Sequence, residues 1–188
     1  MIISFNGDHG SGKSTIAKKV AEKLNYPRYY MGQIFRDMAK DRNITVSELL
    51  EIAKKNTAID DEIENYVIKL GENEDNFIIE SRTAWHFIPK SIKIYFKVNE
   101  IEGAKRIFLE SQNSDVRSNA DKQKLDSVEK IILVEKARRE NDINRYKQYY
   151  NIDICDEKNY DFIIDTTNLS KEEVFDKVMD FINLKNNK

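Results

Sequence analysis

Residues 7–14 read Gly7-Asp8-His9-Gly10-Ser11-Gly12-Lys13-Ser14, directly behind the apolar run MIISF at 1–5 and ahead of Ile16, Val20 and Leu24 at helical spacing. This order of buried strand, glycine-rich turn and helix confines the chain to an α/β architecture, because the pattern G-x-x-x-x-G-K-[ST] works where a strand hands over to a helix N-terminus. The glycines let backbone N–H groups turn inward and the helix adds partial positive charge, a cradle whose natural occupant is a phosphate group. Three of the six glycines in the chain stand in this loop.

Lys13 supplies a mobile point charge for β- and γ-phosphates, Ser14 a hydroxyl ligand for Mg²⁺, and Thr15 a contact for the α-phosphate. ATP and Mg²⁺ are therefore the expected cofactors, with Gly7, Asp8, His9, Gly10, Ser11, Gly12, Lys13, Ser14 and Thr15 as the nucleotide-binding set. His9 belongs to the residue type that titrates near neutrality, but its place in the motif is a variable one, and a solvent-facing loop residue is expected.

Further short β-branched or aromatic runs lie at 76–80, 92–98 and 161–165, with a weaker one at 28–31. Separated by helical patterns such as Ala104, Ile107 and Phe108, they predict a parallel sheet covered by helices. Thr45-Val-Ser-Glu48 and Ser170-Lys-Glu-Glu173 have the S/T-x-x-E form that opens a helix. Residues 32–72 are helix-patterned without a strand, and 112–150 are polar and helix-prone, so both read as insertions upon the sheet. The run at 111–124 lacks apolar periodicity and is equally a solvated loop or a mobile lid.

A chain of 188 residues, 40% hydrophobic, is long enough for one domain. Its net charge of −2 provides no general attraction to nucleic acid or to an anionic membrane, so any anion site is local. One cysteine and two histidines exclude a disulfide framework and a Cys/His zinc cluster. The start lacks the basic stretch of a signal peptide and no run reaches the ~20 apolar residues of a membrane helix. A cytoplasmic monomer that acts on small molecules is expected.

With nine arginines against 22 lysines, the positions of the arginines carry information. Arg36 falls one turn into a helix after the weak strand, and Glu80-Ser81-Arg82 stands at the carboxyl end of a central strand, where open α/β sheets bind ligands. Glu80 is placed to hold a water of the Mg²⁺ shell. Arg138, Asp142 and Arg145 fall at i, i+4 and i+7 on one helix face, with Arg139 turned about 100° away. An ordinary surface ion pair has the same spacing.

Together, "NGDHGSGKST", "GQIFRDMA", "IIESRTAW", the arginine-rich helix running into "RYKQYYNID", and "YDFIIDTTNLSKEEV" make the chain resemble the cytidylate kinases. These are a branch of the nucleoside monophosphate kinases, and the likeness is closest to their short archaeal-type form. The resemblance runs in order through nearly the whole chain. It implies a P-loop kinase fold with five parallel strands, a core over 1–31, 73–110 and 149–188, an acceptor-binding insertion over 32–72 and a lid over 111–148. It implies transfer of the γ-phosphoryl of MgATP to CMP or dCMP, giving ADP and CDP or dCDP.

By the same resemblance Arg36 and Arg82 hold the acceptor phosphate, Arg138 and Arg145 contact phosphates alongside Lys13, and Asp142 contacts the acceptor nucleotide. Ser81 either donates to the acceptor or fills a turn. Arg106 and Arg117 receive no role. For the base, Asp60 and Asp61 are candidates whose plainer reading is exposed helix-cap acids, and Trp85 and Tyr30 either stack on the base or belong to the core. Two other readings share the motif: a P-loop kinase for AMP, UMP or shikimate, and a non-catalytic ATP-binding regulatory module.

Overall fold

Strand β1 (Ile2–Gly7) sends its side chains alternately to two faces. Ile3 and Phe5 join Ile16 and Val20 on one side, and Ile2 joins Leu49, Val67 and Phe77 on the other. Strands β2 (Arg28–Tyr30), β3 (Phe77–Glu80), β4 (Ile92–Lys97) and β5 (Phe162–Asp165) complete a parallel sheet in the order β2-β3-β1-β4-β5. Such continuous apolar runs call for cover on both faces. The computed structural model describes residues 1–113 and 127–186.

One face lies under α1 (Lys13–Leu24) and α8 (Lys171–Asn186), which bury Ile16, Val20, Val178 and Ile182 against Phe5, Ile94 and Phe96. The other lies under α2 (Met31–Asp41), α3 (Val46–Lys55), α4 (Ala58–Asn73) and the short α5 (Ala84–Phe87). Each fully buried Ile or Phe contributes roughly 1.5–3 kcal/mol, so the sheet is the rigid platform of the molecule. Helices α6 (Glu100–Asn113) and α7 (Val128–Tyr150) share only a small apolar cluster around Ala104, Ile107 and Ile131.

The expected helix starts are present. Thr45 and Glu48 form a reciprocal capping box, and Ser170 and Glu173 exchange the same pair of bonds. Strand β1 runs two residues past its apolar run, because Gly7 pairs with Phe96. Strand β2 stops at Tyr30, since Met31 already belongs to α2. Helix α5 and the 3₁₀ turn Glu157–Asn159 are too short to show a period in the sequence. Of the loop-or-lid run at 111–124, residues 114–124 lie outside the described residues, and so does Arg117.

Candidate active site

The glycine-rich loop is shaped by its backbone. Gly10 has φ +76, and a Cβ there would fall 2.3 Å from the Gly103 carbonyl oxygen. Gly12 has φ +80 and leads into Lys13, the first residue of α1. Ser11 is buried, and its hydroxyl donates to the Asp8 carbonyl at 2.7 Å. From the far side, Thr166 Oγ1 donates to the Ser11 carbonyl at 3.0 Å. Lys13 Nζ reaches back to the Gly7 carbonyl at 3.4 Å, and Thr15 is exposed with its N–H on the Gly12 carbonyl.

Period-two alternation explains the neighbour of Ser14. Glu80 shares a sheet face with Ile78, the face covered by α1, so its side chain comes up under the start of that helix. Ser14 Oγ donates to Glu80 Oε2 at 2.6 Å. The other oxygen, Oε1, accepts from Arg28 Nε at 2.6 Å, and Glu80 is only 2% exposed. Arg28 pairs with Ile78 in register and so stands on the same face, one side chain away.

Arg82 leaves the end of β3 and meets α7. It pairs with Asp142, and its Nη2 donates to His9 Nε2 at 2.7 Å. The other ring nitrogen of His9 pairs with Glu135. Arg139 Nη1 donates to Asp8 Oδ1 at 2.7 Å, beside the Tyr95 hydroxyl at 3.0 Å. Glu135, Arg139 and Asp142 thus form one i, i+4, i+7 face laid over the glycine-rich loop. A cavity of about 240 Å³ lies there, lined by Gly7, Asp8, His9, Arg82, Arg139 and Asp142. Burial, with Arg138 and Arg145 nearby, pulls the Arg82 guanidinium down to about 10, which leaves it charged at neutral pH.

Behind Arg82 lies a buried polar cluster. Asp142 Oδ1 accepts from Arg145 Nη2 at 3.1 Å, and Arg145 Nε lies 3.2 Å from Asp60 Oδ2. Burial raises the Asp60 carboxyl above its usual range against the pull of Arg145. Asp60 is joined by Glu64, which accepts from the Thr83 hydroxyl at 2.6 Å, and Asp61 accepts from the Tyr150 hydroxyl at 3.1 Å. Burial, with Asp60 close by, pushes the Glu64 carboxyl up to about 8 despite the Thr83 bond.

The structure brings together the glycine-rich loop, Lys13, Ser14 and Glu80 on one side and Arg82, Asp142 and Arg145 on the other. Arg36 bonds Gln33 on its own helix, and its guanidinium lies over the Tyr30 ring at 5.1 Å. Arg138 is half-buried on α7. Three expectations change. His9 is held between Glu135 and Arg82 instead of facing solvent. Asp60 is buried, at 1% exposure, because α4 turns it toward Arg145. Arg139, expected to point away, is the arginine on Asp8. Ser81 fills a turn, its hydroxyl accepting from Thr83 N and Ala84 N at 3.1 Å each.

Trp85 packs on Tyr160 and donates to the Arg82 carbonyl, and Tyr30 lies between Arg28 and Arg36. No sequence motif singles out Glu64, Thr83, Glu135 or Arg28. Glu135 shares the helical spacing of the expected face, so spacing by itself left two faces of α7 open. Glu64 and Arg28 acquire partners only through the packing of α4 and of β2 against β3.

Comparison with known proteins bears on the same arrangement. Residues 6–132 match the AAA domain family. A cytidylate kinase of Methanocaldococcus jannaschii is 36% identical, the match covering 98% of this chain and 99% of that protein. One of Sulfolobus acidocaldarius is 35% identical over 99% of this chain and 96% of its own. Among solved structures, a shikimate kinase from Bacteroides thetaiotaomicron superposes with a TM-score of 0.64 at 15% identity, covering 97% of this chain and 98% of that one. That likeness concerns the P-loop kinase fold.

Proposed function

The chain belongs to the cytidylate kinase family, and from that premise we propose that it transfers the γ-phosphoryl group of MgATP to CMP or dCMP, giving ADP and CDP or dCDP. The observation that carries the reading is one cavity lined both by Gly7, Asp8 and His9 of the glycine-rich loop and by Arg82, Arg139 and Asp142. Arg82 sits beyond the carboxyl end of β3, next to the central strand β1, with Asp142 and Arg145 behind it, and its guanidinium reaches the glycine-rich loop at His9. Two anionic phosphates brought within bonding reach need cations on both sides, and arginine suits the acceptor by its bidentate geometry.

In this reading the loop amides and Lys13 hold the β- and γ-phosphates, and Arg82 and Arg36 hold the acceptor phosphate. Arg138 and Arg145 compensate charge around the transferred group, while Asp142 orients Arg82 and meets the acceptor nucleotide. An acceptor phosphate oxygen attacks the γ-phosphorus in line as the bond to the leaving ADP oxygen breaks, so no covalent enzyme intermediate forms. Arg106, whose Nη2 bonds the Thr166 and Thr167 carbonyls beside Ser11, borders the donor side.

Ser14 and Glu80 would hold Mg²⁺. A hydroxyl and a carboxylate 2.6 Å apart are hard oxygen donors, and among the described residues no group of three acidic, histidine or cysteine side chains offers a full cage. One carboxylate completed by phosphates and water is the usual Mg²⁺ arrangement. When bound, the ion would neutralise negative charge on the donor's phosphates. Residues 32–72 act as the acceptor-binding insertion and 111–148 as the lid, and the chain works in the cytoplasm as a monomer.

A single-turnover screen with MgATP and CMP, dCMP, UMP, AMP or shikimate tests the proposal. CMP or dCMP should be turned over fastest. ADP release that no acceptor accelerates would point to a regulatory module, and preference for another acceptor would point to a different kinase.

A further inference from the structure

We propose that Glu64 is a positioning residue for the acceptor phosphate, acting through Thr83 to hold the turn from which Arg82 projects. The inference rests on the phosphotransfer reading above and assigns a side chain that this reading does not use.

The backbone around Arg82 is anchored from several sides, three of them through side chains. Its own carbonyl accepts from Trp85 Nε1 at 2.9 Å and from Asn6 Nδ2 at 3.3 Å. Ser81, before it, accepts from the N–H groups of Thr83 and Ala84. Thr83, after it, donates its hydroxyl to Glu64 Oε2 at 2.6 Å. The first two anchors belong to the sheet and to α5. The third comes from α4 and ties the turn to the 32–72 segment by a buried hydrogen bond.

Thr83 and Glu64 are 1% and 3% exposed, so water does not replace the bond when one partner is removed. A carboxyl group is an expensive choice for such a place. Asp60 and Asp61 on its own helix, Arg145, Tyr146 and Tyr150 on α7, and Thr83 are the groups around it. With its carboxyl raised to about 8, Glu64 is mostly neutral at pH 7 and gains charge in the mildly alkaline range. The new charge draws on Arg145, which shares Asp142 with Arg82, and so reaches the acceptor arginine through that pair. A side chain that only filled space would give no such pH response.

The test uses the full chain with Thr83→Val, Thr83→Ser, Glu64→Leu and Glu64→Gln. KM for CMP and for ATP is measured across pH 6.5 to 9, with thermal melts alongside. Losing the bond in Thr83→Val or Glu64→Leu should raise the CMP KM about tenfold, the scale of one buried hydrogen bond, and leave the ATP KM within about twofold. Thr83→Ser, which keeps the hydroxyl, should restore it. The wild-type CMP KM should climb as pH passes 8, and Glu64→Gln should flatten that climb. Unchanged CMP KM in Thr83→Val and Glu64→Leu overturns the proposal, as does an equal rise in both KM values. A wild-type chain that phosphorylates no monophosphate overturns the underlying reading, and this one with it.

Discussion

On the phosphate-loop side of the cleft, eight consecutive residues do most of the shaping, and they do it with backbone. Gly10 and Gly12 hold positive φ, and the N-terminus of α1 points into the turn. On the opposite side Arg82, Asp142, Arg145, Asp60 and Glu64 come from the end of β3, from α7 and from α4, and they meet through side chains. A backbone cradle depends on local conformation, so substitutions there act on the bound donor. A side-chain cluster depends on three packed segments at once, so each member answers for the placement of the others.

The sharpest way to break this contrast is Lys13→Ala, which removes the one mobile charge of the cradle. Turnover should fall by about 10³-fold, the scale of losing a charge aimed at a developing anion. A fall of less than about tenfold in single-turnover assays would remove the loop from the chemistry. Arg82→Ala should come next, raising the CMP KM about 100-fold, as for loss of a charge-assisted bidentate contact, with ATP binding nearly unchanged. Equal losses of both substrates by calorimetry would erase the distinction between the two sides.

Glu64 sharpens the comparison through stability. Its carboxyl is raised from 4.5 to about 8 in the folded chain. A group raised on folding contributes stability that is fully present below its unfolded value and lost as pH rises through the folded one. Relative to Glu64→Gln, the wild type should therefore lose stability between pH 4.5 and 8, by up to ~1.4 kcal/mol per pH unit, and hold level above. Parallel urea melts of the two proteins over pH 5 to 9 would contradict this. The smallest effect belongs to Arg139→Ala, whose half-exposed pair with Asp8 should contribute less than ~1 kcal/mol to the melt.

Legibility followed the same division. The loop, its strand and its helix could be placed from the sequence because a glycine pattern and an apolar period are properties of neighbouring residues. Glu80 could be paired with Ser14 for a related reason: it ends an apolar run, and period two sends it to the face that α1 covers. The α7 face was harder. Arg138, Asp142, Arg145 and Glu135, Arg139, Asp142 have the same spacing, and only the rotation of the packed helix laid the second set over the loop. His9 was misread for a like reason, since its partners stand 73 and 126 residues away.

The sequence by itself determined the α/β alternation, the phosphate loop and the family, because each is written in contiguous residues whose backbone preferences and periodicity act locally. Tertiary structure decided which acids are buried and what they hold. Asp60 and Glu64 look like surface acids of a helix, and only the docking of α4 against α7 and the Arg82 turn takes them out of water. Burial and its charge partners are sums over atoms from distant segments, and no local pattern encodes that sum.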